Sequence, residues 1–233
     1  MFPNFHVAID LDLYPENDSI RTIGSIFPDI NQFSNLTEKT THHCGRKLKR
    51  HFKKYNPKYI PFAIAVKVHN KIDHLAEKSY NGCEVGFVKQ GWEALIKFFG
   101  PKIHILPEVG IDSFISQKYP ELSEIVLASI EEVDVNELAS LLGKFKKFRK
   151  KEPEITEIVP RYLDRIVLYE KNMNLWGKDL GFIYANYQPD KTKKFYSDAL
   201  RIVKKKHFKE LHKAYTHGKP IVKRAVKYPV LSD

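Results

Sequence analysis

His69 and Asp73 lie four residues apart in the stretch AVKVHNKIDHLAEKS, residues 65–79. On an α-helix this spacing places two side chains one turn apart on the same face. An imidazole nitrogen and a carboxylate oxygen then point at one spot, as a shared divalent metal requires. The flanking residues supply the helix. Pro61 suits a first turn, and Ile64, Ala65, Val68, Ile72, Leu75 and Ala76 recur at three-to-four spacing. A polar pair at the edge of such an apolar stripe costs stability unless it pairs or binds something. Taken alone, HxxxD is more often a hydrogen-bonded pair than a ligand pair, so its meaning depends on the other donors in the chain.

His6 stands among apolar neighbours in NFHVAIDLDL and, by itself, reads as a core histidine. Asp29 follows Pro28 in FPDI. Pro28 fixes its own φ and biases Phe27 towards an extended conformation, which would hold Asp29 at a defined angle outside regular helix. A simple Pro-Asp turn is the plainer alternative. His42 and His43 are adjacent and point in different directions, so at most one is a primary ligand. His104 and Glu108 repeat the four-residue spacing, with Asp112 four further on. Pro107 places His104 ahead of a helix and Glu108 in its first turn. Cys44 and Cys83 give no disulfide framework and read as core residues, with soft ligation the alternative.

Strand signals are scarce, and the pattern predicts a mainly helical protein. Helices are expected over about 84–99 and from a capping box at Asp134–Glu137. A third pattern spans roughly 154–172 with an interruption at Pro160, and a fourth spans about 192–217, closed by Gly218. Residues 173–190 and the basic tail read as irregular. Residues 1–118 form the expected metal-binding helical core, and 119–233 a basic helical part packed on the same core.

The net charge of +11 is uneven: residues 1–139 hold 16 Lys and Arg against 18 Asp and Glu, whereas 140–233 hold 23 against 10. Seven of the ten histidines lie in the first 104 residues. One half carries chemistry and the other carries charge, which favours polyanionic partners such as nucleic acid or an anionic lipid surface. Lys47, Lys49, Arg50, Lys53 and Lys54 read as a solvated helix face that would also attract a phosphate substrate if it bordered a metal pocket. A hydrophobic content of 42% excludes disorder, and no apolar run reaches the length of a membrane span. The acidic residues near the N-terminus are unlike a signal peptide, so a cytoplasmic protein is expected.

In chain order the donors are His6, Asp29, His42 or His43, His69, Asp73, His104 and Glu108. Over about residues 1–115 this order resembles the zinc-dependent phospholipase C family and the related single-strand nucleases. That family shows an N-terminal histidine, a Pro-Asp unit after a small-residue turn (here Gly24-Ser25-Ile26-Phe27-Pro28-Asp29), a histidine, HxxxD on a buried helix and a later HxxxE. The resemblance implies a phospholipase C-like helical bundle around a metal cluster, with a basic helical C-terminal extension. Zinc is the implied metal, one to three ions, with manganese or iron as alternatives. Carried across, Asp29, His42 or His43, His69 and Asp73 would hold one ion. Asp73 would bridge to a second near His6, and His104 and Glu108 would serve a third. Two departures favour one or two ions over three. Ser79 stands where the family has a further histidine, with His74 and Glu77 the out-of-register substitutes. The chain also extends before His6, whereas in secreted members the mature N-terminal residue is a ligand.

The function so implied is a metal-dependent phosphoesterase that hydrolyses a phosphodiester or phosphomonoester by a metal-activated water. Asp29 is the candidate to orient or deprotonate that water, and the substrate is a phospholipid or a nucleic acid. The alternative is a non-catalytic basic helical protein that binds polyanions such as RNA, its histidines only packing and hydrogen-bonding. An HD-type hydrolase ranks behind both, because Asp73-His74 has the reversed order.

Overall fold

The computed structural model describes residues 3–16, 18–78, 115–148 and 152–171, and among these every regular element is helical. In order they are α1 (Pro3–Leu13), α2 (Ser19–Ile26), a 3-10 helix (Phe27–Phe33), α3 (Glu38–Thr41) and a 3-10 turn (His42–Cys44). Then come α4 (Gly45–Tyr55), a 3-10 turn (Pro57–Tyr59), α5 (Ile60–Lys78), α6 (Pro120–Glu132), α7 (Val135–Gly143) and α8 (Glu152–Lys171). Side-chain caps set several of the starts. The Asp18 carboxylate accepts the Arg21 N–H at 3.2 Å to open α2, and Asp134 accepts the Glu137 N–H at 2.9 Å to open α7. Asn56 does the same for Lys58 and so separates α4 from α5.

α5 is the axis. α2 and α4 lie against it at two glycines. A Cβ on Gly24 would stand 2.4 Å from the Phe62 carbonyl oxygen and 2.7 Å from its Cα. A Cβ on Gly45 would stand 2.9 Å from both the Ala63 carbonyl oxygen and the Lys67 nitrogen. Only residues without a side chain let the backbones approach this closely. Around these crossings Ile23, Ile26, Phe27, Phe52, Phe62 and Val66 close a core that continues into Leu138, Leu142, Ile155, Tyr162 and Ile166. Residues on both sides of position 118 therefore share one hydrophobic interior.

Polar ties fix the remaining helices. Arg21 of α2 donates to Asp10 of α1 at 2.6 Å, with its guanidinium 3.5 Å from the centre of the Tyr14 ring. Asn4 donates to Ser116 Oγ at 2.9 Å and to the Glu170 carboxylate at 3.0 and 3.1 Å, and Ser123 donates to that carboxylate at 2.6 Å. The Tyr162 hydroxyl of α8 donates to the Ile26 carbonyl at 2.6 Å.

Three local expectations are corrected. Gly24 and Ser25 are not a turn but lie inside α2. Phe27 is helical (φ −57°, ψ −40°), not extended, and Pro28 occupies the first turn of the following 3-10 helix, which carries Asp29. The Phe27 N–H bonds to the Ile23 carbonyl, and its ring packs on Phe62 and Phe148 at 5.0 and 6.2 Å. Those contacts outweigh the pre-proline bias. α8 runs through Pro160 without interruption. Its buried stripe of Ile155, Val159, Tyr162, Leu163, Ile166 and Tyr169 compensates for the hydrogen bond that proline removes. The segments expected near 84–99, 173–190 and 192–217 and the tail lie outside the described residues.

Gly24→Ala tests the crossing. Alanine in a helix interior normally gains up to about 1 kcal/mol over glycine. Here the new methyl meets backbone, which cannot swing aside, so urea unfolding should show a loss of about 1–3 kcal/mol. A neutral or stabilised variant would mean that α2 does not touch α5 at this point.

Candidate metal centre

Five side chains from four segments meet at the C-terminal half of α5. His69 and Asp73 come from α5, His6 from α1, Asp29 from the 3-10 helix after α2, and His42 from the turn before α4. His6 and His69 are fully buried, and Asp29 and His42 nearly so. The Asp73 side chain is 19% exposed and forms the solvent side of the cluster. Asp73 Oδ2 stands 3.0 Å from His69 Nε2 and 3.3 Å from His42 Nε2, while its Oδ1 stands 3.3 Å from His6 Nε2. Asp29 Oδ1 lies 3.8 Å from His69 Nε2 and 3.9 Å from His42 Nε2. The His6 and His69 rings stack at 3.6 Å with 8° between their planes.

Neighbours outside this set fix which nitrogen each ring presents. His69 Nδ1 sits 2.6 Å from the Ser25 carbonyl oxygen, which can only accept, so Nδ1 carries a proton and Nε2 faces the carboxylates. Thr41 donates its hydroxyl to the Glu38 carbonyl at 3.3 Å, leaving its oxygen to accept from His42 Nδ1 at 3.0 Å. His42 thus also presents a bare Nε2. A second partner that sets tautomer and ring orientation is what a metal-binding histidine requires. His6 has no hydrogen bond at either nitrogen although it is fully buried, and His69 Nε2 has none either. A group in that state carries a desolvation penalty that a bound cation would relieve.

Ligand geometry fits better than hydrogen bonding. Donor atoms about 2.0–2.1 Å from one tetrahedral ion lie roughly 3.3 Å from each other. The nitrogen–oxygen separations of 3.0 to 3.9 Å fall around that value. Two overlapping groups have the reach to hold an ion: His6, His69 and Asp73, and Asp29, His42 and His69. Because His69 offers only Nε2, it serves one of them. Mixed imidazole and carboxylate donors suit Zn²⁺, and less selectively Mn²⁺ or Fe²⁺.

The electrostatics show the same unmet demand for positive charge. Burial and the neighbouring His69 hold His6 well below the usual imidazole range, so it stays neutral. Burial opposes charge on His69 too, but Asp73 and Asp29 together outweigh it and raise its pKa. Asp73 is driven well below the carboxylate range: burial works against its ionisation, yet the charge on His69 overcomes it. Positive charge on His69 is thereby favoured beside these acids.

The other candidates fall elsewhere. His43 is exposed, and its carbonyl lies 3.5 Å from Lys147 Nζ. Of the adjacent pair it is therefore His42 that enters the cluster. Cys44 is buried, donates to the Thr41 carbonyl at 2.9 Å, and has its thiol pushed up to about 12 by burial, which makes it an inert core residue. His104, Glu108, Asp112, Cys83 and Ser79 lie outside the described residues, as do the side chains of His74 and Glu77. Residue types gave no sign of the Ser25 carbonyl. Thr41, a hydroxyl directly preceding His42, was the one readable signal.

The sign of the pH dependence follows from these shifts. A raised His69 pKa makes its ion pair fully stabilising below pH 6.5 and weaker as pH climbs through the folded value. The depressed Asp73 pKa makes the same pair fail on the acid side, below about 3.8. In chelator, the stability gap between wild type and His69→Gln should therefore be largest at pH 5–6 and shrink towards pH 9. A gap independent of pH in urea titrations would show that His69 carries no charge in the metal-free protein.

No family model, curated protein or solved structure matches this chain, and its chemistry is therefore to be read from these five side chains.

Proposed function

We propose that the protein is a metal-dependent phosphoesterase and that His6, Asp29, His42, His69 and Asp73 hold its metal. The observation that carries this reading is the convergence, in a buried interior, of five nitrogen and oxygen donors whose unsatisfied imidazole nitrogens face carboxylates without hydrogen-bond geometry. The resemblance of the donor order to zinc-dependent phospholipases C and single-strand nucleases supports the choice of reaction. Zinc bound here would supply Lewis acidity and lower the pKa of a coordinated water to about 7.

The chain's own residues then have separable tasks. Asp73 reaches two histidines with one oxygen and a third with the other, which suits a bridging carboxylate if two ions are held. Asp29 accepts charge on the buried side and is the candidate to orient or deprotonate the attacking water. His69 and His42 are fixed by Ser25 and Thr41, so their nitrogens need no rearrangement on loading. Phospholipid and nucleic-acid esters both remain substrates for this centre, since the ligand set selects phosphate and not the group attached to it.

The alternative, a non-catalytic basic protein that binds polyanions, has one observation in its favour: the exposed cationic face of α4. The two readings part on metal content. Protein purified without a histidine tag should contain one to two equivalents of zinc by elemental analysis, and Asp73→Ala should contain less than about a tenth of that. Hydrolysis of bis(p-nitrophenyl) phosphate should disappear with chelator, return with zinc, and fall at least about hundredfold in Asp29→Asn. Wild type that folds fully and takes up no divalent metal would refute the enzyme.

A further inference from the structure

The eleven residues of α4 include six Lys and Arg and no acidic residue. From Lys39 to Ile72 the chain holds ten Lys and Arg and not one Asp or Glu. Acidic residues before and after this stretch conceal it in any count over the first half of the chain. Helical periodicity then sorts the surface. Gly45, Leu48 and Phe52 are buried against the core, while Arg46, Lys47, Lys49, Arg50, Lys53 and Lys54 are all exposed. A second segment widens the patch. His51 Nε2 donates to the Leu141 carbonyl at 2.9 Å and its ring meets Phe145 at 5.4 Å, while Lys147 reaches the His43 carbonyl. These contacts hold the exposed Lys144 and Lys146 near α4. Like charges at helical spacing destabilise, by a few tenths of a kcal/mol per pair, so crowding six of them on three turns costs the helix stability.

We infer that the outer face of α4, with the adjoining 144–147 segment, is a docking surface for the phosphate backbone of nucleic acid. This surface is independent of the metal reading: it binds whether or not the centre is hydrolytic. Two observations select nucleic acid over a membrane. A helix that lies in a bilayer interface must give its apolar side to the acyl chains, but Leu48 and Phe52 are fully committed to the core. Second, Tyr55 at the end of the basic face is 55% exposed, and the only other exposed large hydrophobic side chain among the described residues is Leu168 on α8. An aromatic ring among cations is a platform on which a base stacks. From Arg46 to Lys53 the helix rises about 10 Å, the length of about three phosphates along one strand.

The test is fluorescence anisotropy of the full-length protein with a labelled 20-nucleotide oligothymidylate, in chelator, across a salt series. Binding should weaken log-linearly with salt. Replacing Arg46, Lys49, Arg50 and Lys53 together by Gln should lower the salt slope by about 3 and the affinity at least tenfold, with an unfolding midpoint no lower than that of the wild type. Tyr55→Ser should cost about fivefold or more. A control with the same charge removed elsewhere (Lys204, Lys205, Lys206 and Lys209, each to Gln) should keep most of the affinity. Equal loss in that control would overturn the assignment to α4, because net charge alone would then explain binding. So would an oligonucleotide that fails to bind while vesicles of phosphatidylserine and phosphatidylcholine do.

Discussion

The closeness of α2 to α5 at Gly24 governs the rest. With no side chain between them, the α2 backbone lies on Phe62, where even a methyl group would overlap the carbonyl oxygen. The next residue, Ser25, thereby brings its carbonyl to within 2.6 Å of His69 Nδ1, about two turns beyond Phe62 along α5. Two residues later the chain turns into the 3-10 helix that carries Asp29. Gly45 repeats the device on the other flank, seating α4 on Ala63 and Lys67 and holding the turn that bears His42. Neither glycine is needed for a turn. Their role is distance: a side chain at either position would push its helix off α5 and carry the donors next to it out of place.

What those glycines bring together is electrostatically expensive. Three imidazoles and two carboxylates share a space that opens to water chiefly at Asp73. Burial penalises every charge there. The stacked pair shows the compromise: His6 remains neutral, and His69 takes the positive charge that the two acids require. Such an arrangement does not maximise stability, since apolar residues of equal volume would pack the interior at no desolvation cost. The proposed metal site would account for it, because a divalent cation would replace one proton with two positive charges at the point where the lone pairs converge.

Much of this was legible from residue types and spacing, for identifiable reasons. HxxxD on an apolar-striped helix constrains geometry by itself, since helical periodicity fixes which residues share a face. His6, Asp29 and His42 converge with it as the donor order implied, but that knowledge came from resemblance and not from periodicity. The choice between His42 and His43 needed the turn, where His43 leaves helical geometry and points to solvent. Local backbone reasoning was less reliable around Pro28 and Pro160. A proline's own constraint is a preference of a few kcal/mol at most, and buried aromatic and aliphatic contacts on the same helix exceed it. Bulk charge misled in another way. The C-terminal excess of 23 against 10 stands, but over the first half the acids of other helices cancelled the cations of α4 in the sum.

The ties around the centre bear on how it would work. His69 is held by a backbone carbonyl, His42 by a threonine that is itself bonded to a carbonyl, and His6 sits on α1 between the Asn4–Glu170 contact and the Asp10–Arg21 pair. None of these partners is a candidate ligand. The donor positions are thus set by the folded core and do not wait for an ion to gather them, unlike small metal-nucleated domains in which binding free energy is folding free energy. A preformed cage of this kind pays its desolvation and repulsion during folding, when the large apolar interior offsets them. On the proposed reading, an ion would then have only to displace a proton. That order of events favours an ion held in fixed geometry, with the partly exposed Asp73 side as its approach, over a site that closes around whatever cation arrives.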